Sequence, residues 1–424
     1  MGFKQSEFCW QIGGEGRRIG GNGMSQYSNR DPLLKGTRIL DLSRVMSGPY
    51  CTSMLSDLGA EIIKIEMPSS GDEARFFGPY KEGESTYFIL LNRDKKSVTI
   101  NLKMDEGIQL IKQLIRQSDV LVENFRPGVM RRLGLDYDSI KAMKPNIIYT
   151  SISGFGLDSP MAGLPAFDLV IQAMSGLMNL TGFSNGPATA IGESLADVCT
   201  GMFAAWGIVA ALFHRERTGE GRHIDVSMLD SMFAMQLTGL SQRLYFDKEP
   251  ERVGNRHPVT YPVDSFATKD GAIVLVAFTD AVYQNLAHAM GKPELVDDPQ
   301  FINNSARNKN EDLLRSIISD WTQSETTAEI LSILHEAKVP CASVWSLGQV
   351  MESEHQKIRH LVDKGQHGKL GEIPLVPQPV KFNGEGMQNS QHVPQLGEDT
   401  ESVLMELLDI SENDLATLRQ KGVI

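Results

Sequence analysis

The sequence predicts an α/β fold built on a mostly parallel, doubly wound sheet, and three observations carry that expectation. Short apolar runs of strand length recur: RILDL at 38–42, EIIKIE at 61–66, DVLVENF at 119–125 and NIIYTSIS at 146–153. Between the first two lies a strand–helix–strand signature, with a loop at 43–48, Pro49 in a first helical turn and Gly59 as a left-handed stop. Near Gly254 the pattern changes to one hairpin followed by helices, so a second, smaller unit is expected. A length of 424 residues suits two or three domains.

The elements follow in order. Residues 1–35 are glycine-rich and polar, without periodicity, and read as a tail. The run G-G-E-G-R-R-I-G-G at 13–21 follows no strand, so it is not read as a phosphate loop, and Met24 offers an alternative start. Order begins near Gly36. After the first strand–helix–strand unit, 97–102 reads as strand, 106–117 as helix and 119–125 as strand. Short helices are expected after Pro127 and near Tyr137, then the strand at 146–153. From Asp168 to about Met235 helices dominate, the longest running from Asp197 to Arg217 with Gly201, Ala204 and Ala205 as a small face. Asp270-Gly271 marks a hairpin within 266–278, helical patterns fill 281–338, and a last helix lies near 400–409. The resulting division is a tail (1–35), a large α/β unit (36–252), a small α+β unit (253–340) and a returning segment (341–424).

Composition narrows the function. Hydrophobic residues make up 41% and charged residues 22%, as in a globular enzyme. A formal net charge of −12 excludes global attraction to nucleic acid or anionic lipid. Cys9, Cys51, Cys199 and Cys341 are far apart, so neither a zinc site nor a disulfide framework is indicated, and a reducing compartment fits. No apolar run reaches membrane-spanning length by sequence, and no signal-peptide core opens the chain. There is no H-E-x-x-H and no Walker loop. Gly192-Glu193-Ser194-Leu195-Ala196 approaches a nucleophile elbow but ends in alanine.

Two features point to chemistry. Basic residues cluster at Arg93, Lys95 and Lys96, with Lys103 beyond, and again at Arg126, Arg131 and Arg132. Beyond the carboxyl ends of parallel strands such clusters suit phosphate groups, and equally they suit solvated surface. Asp197 opens the long apolar helix. It reads as an N-cap or as a carboxylate nucleophile, and composition does not separate the two.

Several long segments, in order, resemble the family III CoA-transferases. They are GTRILDLSRVMSGPYCTSMLSDLGAEIIKIE, GDEARFFGPY, NRDKKSVTINLK, DVLVENFRPGVMRRLGLDYDSI, YTSISGFG, SLADVCTGMFAAWGIVAALFHRERTGEGRHIDVSM and the terminal PQLGEDT…GVI, spanning 34–424. The resemblance implies a large Rossmann-like domain built from both chain ends, a smaller inserted domain and an interlocked homodimer. It implies a cytoplasmic enzyme acting on an acyl-CoA and a small carboxylate, with coenzyme A thioester as substrate and no permanently bound cofactor or metal.

The family's catalytic aspartate falls on Asp197. In that chemistry the carboxylate attacks a thioester to give a mixed anhydride, and the released thiolate returns to give an aspartyl-CoA thioester. The acceptor carboxylate then repeats the exchange. Oxyanion stabilisation and exclusion of water follow as requirements. The family's coenzyme contacts fall on Arg44, Val45, Met46, Ser47, Lys103, Asn124, Phe125, Arg126 and Arg132. Three positions depart from formyl-CoA transferase: Met46 replaces a glutamine, Met67 an arginine and Pro165 a lysine. These departures argue against formyl-CoA as the substrate. Phe167 and Asp168, with Arg256 and His257 in the loop from Gly254 to Pro262, complete the expected pocket. The racemases of this fold carry G-H-D where this chain has Ala166-Phe167-Asp168. A 2-methylacyl-CoA racemase and a non-catalytic CoA-binding protein remain the alternatives.

Overall fold

The computed structural model describes residues 32–384, 386 and 391–424. The glycine run at 13–21 and Met24 lie outside the described residues.

Six parallel strands form the main sheet: β1 (Arg38–Asp41), β2 (Glu61–Glu66), β3 (Lys95–Thr99), β4 (Val120–Glu123), β5 (Ile148–Ser153) and β6 (Arg222–Ser227). Their spatial order is β3-β2-β1-β4-β5-β6, so the sheet grows one way from β1 and then the other way from β4. That is the doubly wound order, with its switch point between β1 and β4. The first five strands match the sequence reading within a few residues. β6 does not: it lies in a stretch read as helical. R-H-I-D-V-S alternates charged and apolar residues because it is an edge strand with most of its outer face in solvent, so the apolar run expected of a buried parallel strand is absent.

Alternation along the strands divides the core. Ile39, Ile62, Val120 and Ile148 face helix α1 (Ser47–Ser56) and a long helix, here α4 (Leu195–Thr218). Leu40, Ile63, Val98 and Leu121 face the other way, toward α2 (Asp105–Arg116). Two C-terminal helices, α5 (Thr400–Leu408) and α6 (Glu412–Gln420), bring Leu404, Leu415, Val423 and Ile424 into that second core. The return is pinned by the Asn101 N–H donating to Val423 O at 2.8 Å. Between α1 and α4, in chain order, α3 (Asp168–Met174) packs against α4.

Residues 261–341 hold a separate core around Phe266, Ile273, Leu286 and Ile318. The hairpin signalled by Asp270-Gly271 is present as antiparallel strands Val263–Ala267 and Ala272–Val276. A third strand, Cys341–Ser343, joins the second of these. Strands at 363–367, 371–375 and 392–393 form a further small sheet against Phe88 and Ile89, which the sequence reading did not anticipate.

α4 is long and apolar enough, by length and composition, to cross a membrane, and half of that stretch is buried inside the protein. Its small face lets it approach α1: a Cβ built on Gly201 would lie 2.7 Å from Ser47 O and 3.1 Å from the Tyr50 ring. Backbone does not give way there, so the helices must part if a side chain is added. Overpacking of this kind costs about 1–3 kcal/mol, against a gain of ~1 kcal/mol in helix propensity for alanine. Gly201→Ala is therefore expected to lower the midpoint of denaturant unfolding. A midpoint equal to or above that of the unaltered protein would show that the contact is not tight.

Candidate active site

At the switch point two loops meet, 43–46 after β1 and 124–127 after β4. Asn124 ties them together: its Nδ2 donates to Arg44 O and its Oδ1 accepts the Arg44 N–H, both at 2.8 Å. The first loop is bent hard. Val45 has φ of 67°, a region β-branched residues avoid. Its N–H is held by Asp72 Oδ1 at 3.0 Å.

Beneath that loop lies a buried charge network. Lys64 Nζ contacts Asp72 at 2.8 Å and donates to Ser43 O at 2.9 Å. Lys95 Nζ reaches Asp41 at 3.2 Å and Pro49 O at 2.9 Å. Glu66 takes Arg75 at 2.7 Å, the Ser97 hydroxyl at 2.7 Å and the Asp72 N–H at 2.9 Å. Arg93 pairs with Asp57 at 2.8 Å and Lys96 with Glu61 at 2.7 Å. All three cations of the first sequence cluster therefore hold the protein's own carboxylates. For that cluster the ligand reading gives way to a structural one.

Asp197 enters from α4. The helix begins at Leu195 with Ser194 at the cap position, so Asp197 sits in the first turn and is not the cap. The capping is done from outside the helix. Asp168 Oδ1 accepts the Ala196 N–H at 2.7 Å and the Asp197 N–H at 3.4 Å. Gln172 holds Asp168 Oδ2 at 2.6 Å and pins the preceding loop through Glu193 O at 3.1 Å and the Ile191 N–H at 2.9 Å. Burial pushes the Asp197 carboxyl up to about 6, and the Asp168 charge adds to this; hydrogen bonds from the Ser47 hydroxyl and N–H offset part of it. The close approach at Gly201 is what brings Ser47 to Asp197. Tyr87, a residue the sequence reading passed over, is pushed up to about 12 by its own burial and then by the charge on Asp197. It stays protonated at neutral pH.

Asp197 opens into a cleft of about 340 Å³ whose walls include Arg44, Val45, Met46 and Ser47 on one side and Asn124, Phe125 and Arg126 on the other. Leu164, Phe167 and Met228 give it an apolar flank. A neighbouring cleft of about 450 Å³ shares Arg44 and Phe125 and adds Met67 and Lys103. Arg44 stacks over the Phe125 ring at 5.0 Å, forming the ridge between the two. Arg132 is exposed and lines neither cleft. Asp168 stands behind the cleft as the helix cap, while Phe167 lines it. Arg256 and His257 are elsewhere in the chain: Arg256 pairs with Glu311 at 3.0 Å, and the His257 ring contacts the Thr260 hydroxyl at 2.9 Å. The signal that the network beneath the loop existed was present in the sequence as ionisable residues inside apolar strands, Lys64 and Glu66 in EIIKIE and Asp41 at the end of RILD.

The profile of CoA-transferase family III matches residues 34–400. The chain is 41% identical to acetyl-CoA:oxalate CoA-transferase of Acetobacter aceti over 351 residues, covering 82% of this chain and 89% of that one. It is 35% identical to succinyl-CoA:glutarate CoA-transferase of Homo sapiens over 414 residues, covering 96% and 94%. Among solved structures it is similar to a CAIB/BAIF family protein from Brucella suis, with a TM-score of 0.79 and 33% identity over 88% of this chain and 99% of that one.

An acid whose folded pKa is raised destabilises the fold once it ionises. Below the unfolded value of 3.8 both states are protonated and there is no effect; between 3.8 and about 6 the cost grows, and above about 6 it is complete. Asp197→Asn is therefore expected to melt higher than the unaltered protein at pH 8, by about 1–3 kcal/mol after allowance for solvent screening, with the gap closing near pH 4. Calorimetric melts across that range decide it. A gap that is absent at pH 8, or unchanged at pH 4, would mean the carboxylate is not held in an unfavourable site.

Proposed function

The chain belongs to CoA-transferase family III and is a CoA-transferase, and on that premise we propose that it moves coenzyme A from an acyl-CoA to a small dicarboxylate through a covalent intermediate on Asp197. The observation that carries this reading is the opening of Asp197 into the same cleft as the two switch-point loops. The curated relatives are named for oxalate, glutarate and mesaconate, which supports a dicarboxylate acceptor.

In the proposed reaction an Asp197 oxygen attacks the thioester carbonyl carbon. The C–S bond breaks, the thiolate leaves with the electron pair, and a mixed anhydride remains. The thiolate then attacks the aspartyl carbonyl and the donor's carboxylate departs, leaving an aspartyl-CoA thioester. The acceptor carboxylate attacks this carbonyl and expels the thiolate, which finally attacks the acceptor's carbonyl and frees Asp197. Ser47 holds the carboxylate in line, and Tyr87 remains protonated and able to donate. The apolar flank of Leu164, Phe167 and Met228 keeps water from the anhydride. Lys103 and Arg126 supply positive charge for the nucleotide phosphates, while Arg132, outside both clefts, is left without that role. Phe167 carries no exchangeable proton, which weighs against α-proton racemisation.

We further propose a homodimer as the working unit. Large apolar side chains stand in solvent on one protomer: Trp206 on α4 is 72% exposed, Tyr245 80% and Leu347 80%. Large apolar side chains of this exposure would be covered in a dimer. Arg256 and His257, which line none of the clefts described in their own chain, would then serve a partner's cleft.

Two outcomes test these readings. Asp197→Asn should abolish exchange in a screen of acyl-CoA donors against mono- and dicarboxylates, and acyl-CoA followed by hydroxylamine should inactivate the unaltered enzyme at Asp197. In the unaltered enzyme kcat/KM should fall about tenfold per unit below pH 6, because the carboxylate must be ionised to attack. Undiminished turnover by the variant would remove the covalent route. Sedimentation should give a dimer that does not dissociate on dilution before it unfolds; a stable folded monomer would refute the obligate assembly.

A further inference from the structure

On the face of the sheet away from Asp197 lies a third cleft, of about 340 Å³, that shares only Phe125, Arg126 and Pro127 with the Asp197 cleft. Its floor is a chain of polar groups running across three strands. Glu123, the last residue of β4, is 5% exposed and accepts the Phe125 N–H on Oε2 at 2.9 Å. The Ser151 hydroxyl of β5 bonds the same carboxylate and lies 3.1 Å from His223 Nε2 of β6. The His223 ring is clamped, stacked on Tyr137 at 4.6 Å and edge-on to Tyr149 at 5.3 Å.

Glu123 touches neither the Asp197 cleft nor its neighbour, yet it grips the backbone of a residue that walls both. We propose that Glu123 is the positioning residue of the coenzyme loop: from beneath, it fixes Phe125 and Arg126 against the nucleotide, and it does so more firmly when ionised, so that affinity for coenzyme A follows its protonation. This rests on the assignment of the two clefts to an acyl-CoA.

The physical argument is one of hydrogen-bond strength. A carboxylate accepts an amide N–H about twice as strongly as a neutral acid does. Burial pushes Glu123 up to about 7, with Asp225 adding to the rise and the Ser151 and Phe125 bonds opposing it, so the change falls in the neutral range. The other groups facing it are Tyr149 on β5, whose hydroxyl donates to Leu135 O at 2.9 Å, His223 on β6, and Arg126, Arg131, Asp136, Tyr137 and Asp138 around the mouth of the cleft. Burial pushes His223 below its ordinary value, against the opposing pull of Asp225 and Asp138, which disfavours the imidazolium form. The chain adapts to either state. With Glu123 ionised, Ser151 donates to it and accepts Nε2–H from His223. With Glu123 protonated, the carboxyl donates to Ser151, which donates to Nε2 of the other tautomer. The proton enters through the open cleft, and no bond to substrate changes.

Calorimetric titration of coenzyme A into the full chain tests this at pH 6 and pH 8. The unaltered protein should bind roughly threefold to tenfold more tightly at pH 8, beyond any slope due to the ligand's own phosphate. Glu123→Gln keeps a carbonyl acceptor for Phe125 but cannot ionise. It should show only the ligand's slope and bind like the unaltered protein at pH 6, with kcat at saturating acyl-CoA within about twofold of the unaltered enzyme. Ser151→Ala removes a bond that favours the charged form, so it should move the midpoint of the affinity profile to higher pH, and it serves if the glutamine variant fails to fold. The same pH step in Glu123→Gln, a loss confined to kcat, or an unmoved midpoint in Ser151→Ala would overturn the proposal. No binding by the unaltered protein at either pH would instead overturn the assignment of the clefts.

Discussion

The site depends on how closely two helices approach. α4 crosses the start of α1 at Gly201, where the Ser47 carbonyl stands 2.7 Å from the position a Cβ would take. Only glycine allows that separation. Because of it, the first turn of α4 and the first residue of α1 share one small volume, and the Asp197 carboxylate meets the Ser47 hydroxyl and N–H. The apolar stripe of α4, with Ala204, Ala205 and Ile208 buried, supplies the hydrophobic contact that holds the two together. A one-turn slide of either helix would carry the carboxylate about 5.4 Å along the axis, out of reach of Ser47.

The partner surface to Asp197 is set by buried charge. Loop 43–46 carries a strained Val45, and strain of this kind persists only where the surroundings over-determine the backbone. Here Asp72, Lys64 and Asp41 do so. Lys64 and Asp41 are wholly buried and Asp72 nearly so. Replacing a buried ion pair with apolar residues is often neutral or stabilising, so the network is a poor device for stability alone. Its geometry explains it better: Lys64 holds Ser43 O, Asp72 holds the Val45 N–H, and the loop has one conformation.

The two aspartates at the head of α4 divide the work that one residue was expected to do. A helix N-terminus favours negative charge and offers free N–H groups. Asp168 takes those of Ala196 and Asp197 from another helix, so the Asp197 carboxylate is not consumed in capping. The second charge nearby then makes Asp197 harder to ionise. A carboxylate stabilised fully by the helix end would be a weaker nucleophile, whereas one raised to about 6 is ionised at neutral pH and still basic.

The sequence by itself determined the first five strands and the helices between them, the switch from parallel sheet to hairpin near Gly254, and the family, because apolar periodicity, turn residues and long motifs are local properties of the chain. It also singled out Asp197, though as the start of a helix. What only the tertiary structure decided are relations between distant residues. That the C-terminal segment returns was expected from the resemblance, but its docking on Asn101, 321 residues from Gly422, was not. β6 hid within a helical stretch because an edge strand need not be apolar. Arg93, Lys95 and Lys96 suited a phosphate site and a solvated surface equally until their partners Asp57, Asp41 and Glu61 were in view. Asp168 became a cap, and Glu123 the support of a ligand loop, for the same reason: a charge in a sequence does not say which amide or counter-charge the fold will set against it, and that pairing determines its role.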